Sequence, residues 1–163
     1  MNLQFNITGI RIVESHFLLN PNFSFPEGKP ISINSSFDTQ YGINGEIANV
    51  VLKVFSNDDN QPFTYSVSLL GSFHFKEMPA KDMLDKIVHI NCAAILFPYV
   101  RESVADLTRR AGIPPFHLAP VNFVDAYNAR IASQQAKSDV QEKVVRKHKN
   151  KPIPVTATVK VKR

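Results

Sequence analysis

Leu3, Phe5 and Ile7 alternate with polar neighbours, and beyond Gly9 the alternation resumes through Ile10, Ile12 and Phe17. A period of two puts successive side chains on opposite faces, so this stretch predicts a strand with one covered face. Ile31, Ile33, Ser35 and Phe37 predict a second strand, Tyr41-Gly42-Ile43-Asn44-Gly45 a turn, and residues 47–55 a third, β-branched strand. Phe63, Tyr65, Val67 and Leu69 alternate with Thr64, Ser66 and Ser68 in a fourth. Asn57-Asp58-Asp59-Asn60 is the clearest hairpin connection, because Asn and Asp tolerate turn geometry. Four strands with short links predict an antiparallel meander. The stretch LNPNFSFPEGKP (residues 19–30) is turn chemistry that nonetheless carries Phe23 and Phe25.

The second half changes period. After Pro79, with Asp82 and Asp85 near the start, the sequence KDMLDKIVHINCAAILFPYVRESVADLTRRA predicts a long helix ending at Gly112. Pro98 lies inside it and predicts a bend. Ile87, Val88, Ile90, Ala93, Ala94, Ile95, Leu96 and Phe97 occupy nearly every face. One sheet covers only one side of a helix, so the remaining apolar side needs a second partner. A subunit interface through Ile87, Ile90, Ala94, Ile95, Phe97, Tyr99 and Arg101 is the expectation. Asn122 is placed to cap a last helix, with Asp125 three residues on and Phe123, Tyr127 and Ile131 along one face. The fold class is therefore α+β, a four-stranded antiparallel sheet with a long kinked helix and a second, C-terminal helix.

Charge divides the chain. Residues 1–136 hold 10 Lys/Arg against 12 Asp/Glu, whereas residues 137–163 hold 9 against 2. This sets a mildly acidic body (1–136) apart from a basic extension (137–163) that opens as a helix end. Its last stretch, PVTATVKVKR, alternates strictly and suits an edge strand or a solvated tail equally. Cys92 is the only cysteine, which fits a reducing compartment and predicts a cytoplasmic protein. No uninterrupted apolar run suits membrane insertion, and the N-terminus lacks the layout of a signal peptide.

Residues 111–123, AGIPPFHLAPVNF, join the two helices with three prolines and four large apolar side chains. No solvated loop needs Phe116, Leu118 and Phe123; they serve either as core over the sheet or as a surface meant for something else. This connector, together with LFPYVRE at residues 96–102 and Tyr127 beyond it, resembles the signature region of bacterial SecB, the ATP-independent chaperone of protein export. The resemblance implies long grooves that hold non-native polypeptide, lined here by Phe23 and Phe25 from a crossover between the first two strands and by Phe116, Leu118, Phe123 and Tyr127. It implies assembly as a homotetramer, a dimer of dimers with the long helices between the sheets. Prolines would keep such a surface open at low entropic cost.

Two departures bear on partners. The family docks the motor ATPase SecA through acids on the exposed sheet face, yet the last strand, FTYSVSLLG, has none and the first offers only Glu14. The extension is basic where the family's tail is acidic, and electrostatic docking follows the sign of the field, so SecA docking is not expected. The resemblance leaves two roles open, protein export or service as a dedicated SecB-like chaperone of an antitoxin. No catalytic, cofactor-binding or metal-binding set is legible: His89 and Cys92 share a helical spacing, but nothing completes a site. An enzyme is not expected. The rival from another class is a nucleic-acid-binding or acidic-partner adaptor acting through the basic extension, against which stands a body without a basic stripe.

Overall fold

The computed structural model describes residues 4–28 and 30–149. Leu3, expected in the first strand, and the alternating end PVTATVKVKR lie outside these residues. Four strands form one antiparallel sheet: β1 (Phe5–Leu19), β2 (Ser36–Asn44), β3 (Ile47–Ser56) and β4 (Phe63–Phe75). Their spatial order is β1-β4-β3-β2, which corrects the expected meander. Only β2, β3 and β4 are joined by tight hairpins. Residues 20–35, stiffened by Pro21, Pro26 and Pro30, cannot close a hairpin and instead cross the end of the sheet, placing β1 beside β4.

The hairpins explain two further differences from the expected elements. Residues 41–44 pair with β3, and only Gly45 takes a positive φ, 59°, so the turn is Gly45-Glu46 and Gly42 sits inside an edge strand. Residues 31–35 lie outside the ladder, because their partner strand ends at Ser56, where the Asn57–Asn60 connection begins. That connection is closed by Asp58, whose carboxylate accepts from Asn60 N at 3.0 Å and Gln61 Nε2 at 3.1 Å. β1 carries bulges beside Thr8 and Val13, which keep its apolar alternation in step with β4 across Gly9.

One continuous helix covers the inner face of the sheet. It comprises α1 (Lys81–Ile87), a π-helical turn (Val88–Cys92) and α2 (Ala93–Arg110). Its sheet-facing side chains recur every four residues: Leu84, Val88, Cys92, Leu96, Val100, Val104 and Thr108, all buried. Steps of four overshoot a helical repeat of 3.6, so a straight α-helix would rotate this stripe off the sheet. The wider π turn offsets part of that drift. Below lie Ala48, Val50, Leu52 and Val54 of β3 and Val67, Leu69 and Phe73 of β4, also buried. Burial of each larger aliphatic contributes about 1.5–3 kcal/mol. Helix and sheet meet closely at Gly71, where a Cβ would stand 2.7 Å from Leu96 Cδ2. Lys81–Arg110 is long and apolar enough by composition to cross a bilayer, yet half of its most apolar 18-residue window is buried inside the fold, as in a core helix.

The long helix ends in a Schellman motif. Gly112, at φ 78°, donates to Arg109 O at 3.1 Å, and Ile113 N donates to Thr108 O at 3.2 Å. After the connector, α3 (Phe123–Lys149) is capped as expected, with Asn122 Oδ1 accepting from Val124 N at 3.1 Å and Asp125 N at 3.3 Å. Contacts divide the chain within α3 into two compact units, one ending at Tyr127 and one starting at Asn128.

Candidate functional site

Two segments face each other at the β2 side of the sheet. One is residues 31–37, the end of the crossover (31–35) running into the first two residues of β2; the other is the connector, residues 116–121. Between them lies an open cleft of about 440 Å³, floored by Val54 and Phe97. Ile31, Ile33 and Phe37 form one wall, and Phe116, Leu118 and Val121 the other.

Each wall is set by contacts beneath it. The crossover end is pinned by Tyr65, whose hydroxyl lies 2.6 Å from Ser35 Oγ. Phe116 packs edge-on against Phe63 of β4, ring centroids 5.8 Å apart, and Phe63 stacks on Phe17 of β1. Phe123 lies under the cleft, edge-on to Phe97 at 5.7 Å and to Phe37 at 5.5 Å. It is only 7% exposed, and Leu118 4%.

The residues expected to line a groove therefore fall into four groups. Phe116 and Leu118 line the cleft, Leu118 from a mostly buried position. Phe123 supports the cleft from the core. Phe23 and Phe25 pack against each other at 5.1 Å, with Phe25 58% exposed, and are not among the lining side chains. Tyr127 instead packs on His89 of the π turn at 5.9 Å. Ile31, Ile33 and Phe37 were legible as an alternating strand run; Phe37 does pair, in β2, whereas Ile31 and Ile33 fall short of the ladder, since alternation does not reveal where a pairing partner stops.

The expected interface residues also separate. Ile87 and Phe97 are buried within the chain's own core. Ile90 is half-buried, whereas Ala94, Ile95, Tyr99 and Arg101 are exposed on the opposite side of the helix around Pro98. A second recess, lined by Phe97, Pro98, Arg101, Glu102 and His117, adjoins this surface.

The polar chemistry is structural. His89 Nδ1 donates to Asp85 O at 2.8 Å, and burial pushes the Cys92 thiol up to about 12, which leaves it protonated and inert. Among the described residues no three His, Cys, Asp or Glu side chains converge. On the outer sheet face, Glu14 accepts from Ser66 Oγ at 2.7 Å, Ser68 Oγ at 3.0 Å and Lys53 Nζ at 3.0 Å. The serine and lysine hydrogen bonds hold its carboxyl well below the usual range, at about 2.

These features define a class: an α+β fold whose antiparallel sheet is covered on one face by a long helix, with an apolar cleft left open at one edge. The chain belongs to the SecB family, whose description, Preprotein translocase subunit SecB, matches residues 23–134. A protein-export protein SecB of Paraburkholderia phymatum is 42% identical over 74 residues, 45% of this chain and 47% of that protein. Another, of Burkholderia vietnamiensis, is 42% identical over 77 residues, 47% of this chain and 48% of that protein. The matched segment thus spans about half the length of these curated relatives. A SecB-like chaperone of Mycobacterium tuberculosis, solved in complex with a ChAD peptide from the HigA1 antitoxin, shares the fold with a TM-score of 0.63. It is 18% identical, covering 72% of this chain and 90% of that one.

Proposed function

We propose that the protein is a cytoplasmic chaperone that holds non-native polypeptide in the cleft between residues 31–37 and 116–121, without nucleotide, metal or catalysis. The observation that carries this reading is the open cleft itself. Ile31, Ile33, Phe37, Phe116 and Leu118 surround about 440 Å³ that the subunit's own side chains leave unfilled. An apolar trough with few fixed polar groups gains from contact area rather than from one sequence, which suits clients of varied composition.

Subunits assemble as a dimer of dimers through the outward side of the long helix. That surface presents Tyr99, 52% exposed, and Ile95, 37% exposed, beside Ala94 and Pro98, and burying it removes apolar area from water. The basic extension beyond residue 136 serves as a separate element that tunes partner choice. Clients are export precursors, as the names of the curated relatives suggest, or an antitoxin, as in the Mycobacterium tuberculosis complex. The second is favoured here by Glu14, the acid available on β1 for a cationic docking partner. It is already bonded to Lys53, Ser66 and Ser68.

The test is suppression of aggregation of a slow-folding client by the double variant Ile31→Ser, Phe116→Ser. Losing two apolar contacts is expected to weaken client binding about tenfold or more with the oligomer intact. Wild-type suppression by that variant overturns the site.

A further inference from the structure

The connector leaves α2 through a single residue. Thr108 is completely buried, three turns beyond Phe97 along the sheet-facing stripe of the helix. Its hydroxyl donates back to the helix, with Ala105 O at 2.9 Å and Val104 O at 3.2 Å. That orients an oxygen lone pair outward, where Phe116 N donates to it at 2.9 Å. Its own carbonyl accepts from Ile113 N. Pro114 and Pro115 stand between and have no N–H to offer. From Ile113 to Phe116, every backbone donor of the connector therefore ends on Thr108.

We infer that Thr108 is the positioning residue of the cleft: it fixes the backbone of Phe116 and so holds that ring as a standing wall before any client arrives. The inference rests on the client-binding reading above. The two bonds set both ends of a diproline step whose φ angles are already restricted, so the chain between them has little freedom left. Without the hydroxyl, the part-buried N–H of Phe116 loses its acceptor and the ring departs from its seat on Phe63. A wall present only part of the time lowers apparent affinity in proportion to that fraction.

Amide hydrogen exchange at Phe116, together with the binding constant for an unfolded client, tests this in the full chain. In the wild type the Phe116 amide is expected to be protected although it lies in a connector. Thr108→Val keeps the volume and removes the acceptor, and should speed exchange and weaken client binding by about tenfold each. Thr108→Ser restores the acceptor and should recover both. A Phe116 amide that exchanges as freely in the wild type as that of exposed His117 overturns the inference, whether or not Thr108→Val folds. So does wild-type affinity in Thr108→Val once protection is lost. The client-binding reading fails separately, through unaltered binding by Ile31→Ser, Phe116→Ser while Thr108 is intact.

Discussion

The two sides of the long helix carry comparably apolar side chains and meet different fates. Toward the sheet, Leu84, Val88, Leu96, Val100 and Val104 are 1% exposed or less. Away from it, Met83 in the first turn, and Ile95 and Tyr99 beside the exposed Pro98, remain open. A proline there loses a backbone hydrogen bond to Ala94 and costs about 3 kcal/mol in a helix interior. Its placement on the outward side keeps the lost hydrogen bond and the ring away from the packed stripe. The lesson is that apolar content alone does not distinguish a core from a surface reserved for a partner; what distinguishes them is whether the same chain supplies a complementary layer.

That contrast can be broken most forcefully from the inner side. Val100→Asp buries a charge with no partner under the sheet and should cost more than about 4 kcal/mol, enough to abolish cooperative unfolding in urea. A folded Val100→Asp subunit contradicts the assignment of core. On the outer side, Ile95→Glu with Tyr99→Glu should leave the far-UV spectrum of the subunit unchanged and lower its sedimentation coefficient from that of a tetramer. A wild-type monomer at micromolar concentration would contradict the proposed assembly instead.

The smallest effect sharpens the comparison from the opposite face of the sheet. Glu14 has a folded-state value near 2 against 4.5 for an unperturbed carboxyl. Its contribution is therefore complete above about pH 4.5 and disappears as pH falls through 2. Glu14→Gln should flatten the acid limb of the Tm–pH curve over that window, so that wild type and variant converge toward pH 2. Parallel curves would show that the exposed cluster with Ser66, Ser68 and Lys53 contributes nothing to folding.

Local pattern carried much of this architecture. β3 and β4 alternate because one face meets the helix, and Asn122 and Gly112 mark helix ends through chemistry that is visible in sequence. Strand order was not legible, because a period of two says which face is buried but not which neighbour a strand pairs with. Ile31 and Ile33 show the same limit, being an alternating run that lines a cleft instead of a ladder. At the site, Phe116 and Leu118 stood out as apolar residues among prolines. Phe123 stood out for the same reason yet supports the cleft from below, since composition does not give depth. Thr108 gave no signal, because its role depends on a hydroxyl reaching a backbone amide eight residues on.

The central claim is that unfolded polypeptide occupies the cleft between the crossover and the connector. Backbone amide chemical shifts of the isotope-labelled protein, followed while an unfolded client is titrated in, test it most directly. The account predicts saturable changes concentrated at residues 31–37 and 116–121. Saturable changes confined to the outer sheet face around Glu14, or to the basic extension, with those two segments unmoved, would contradict it.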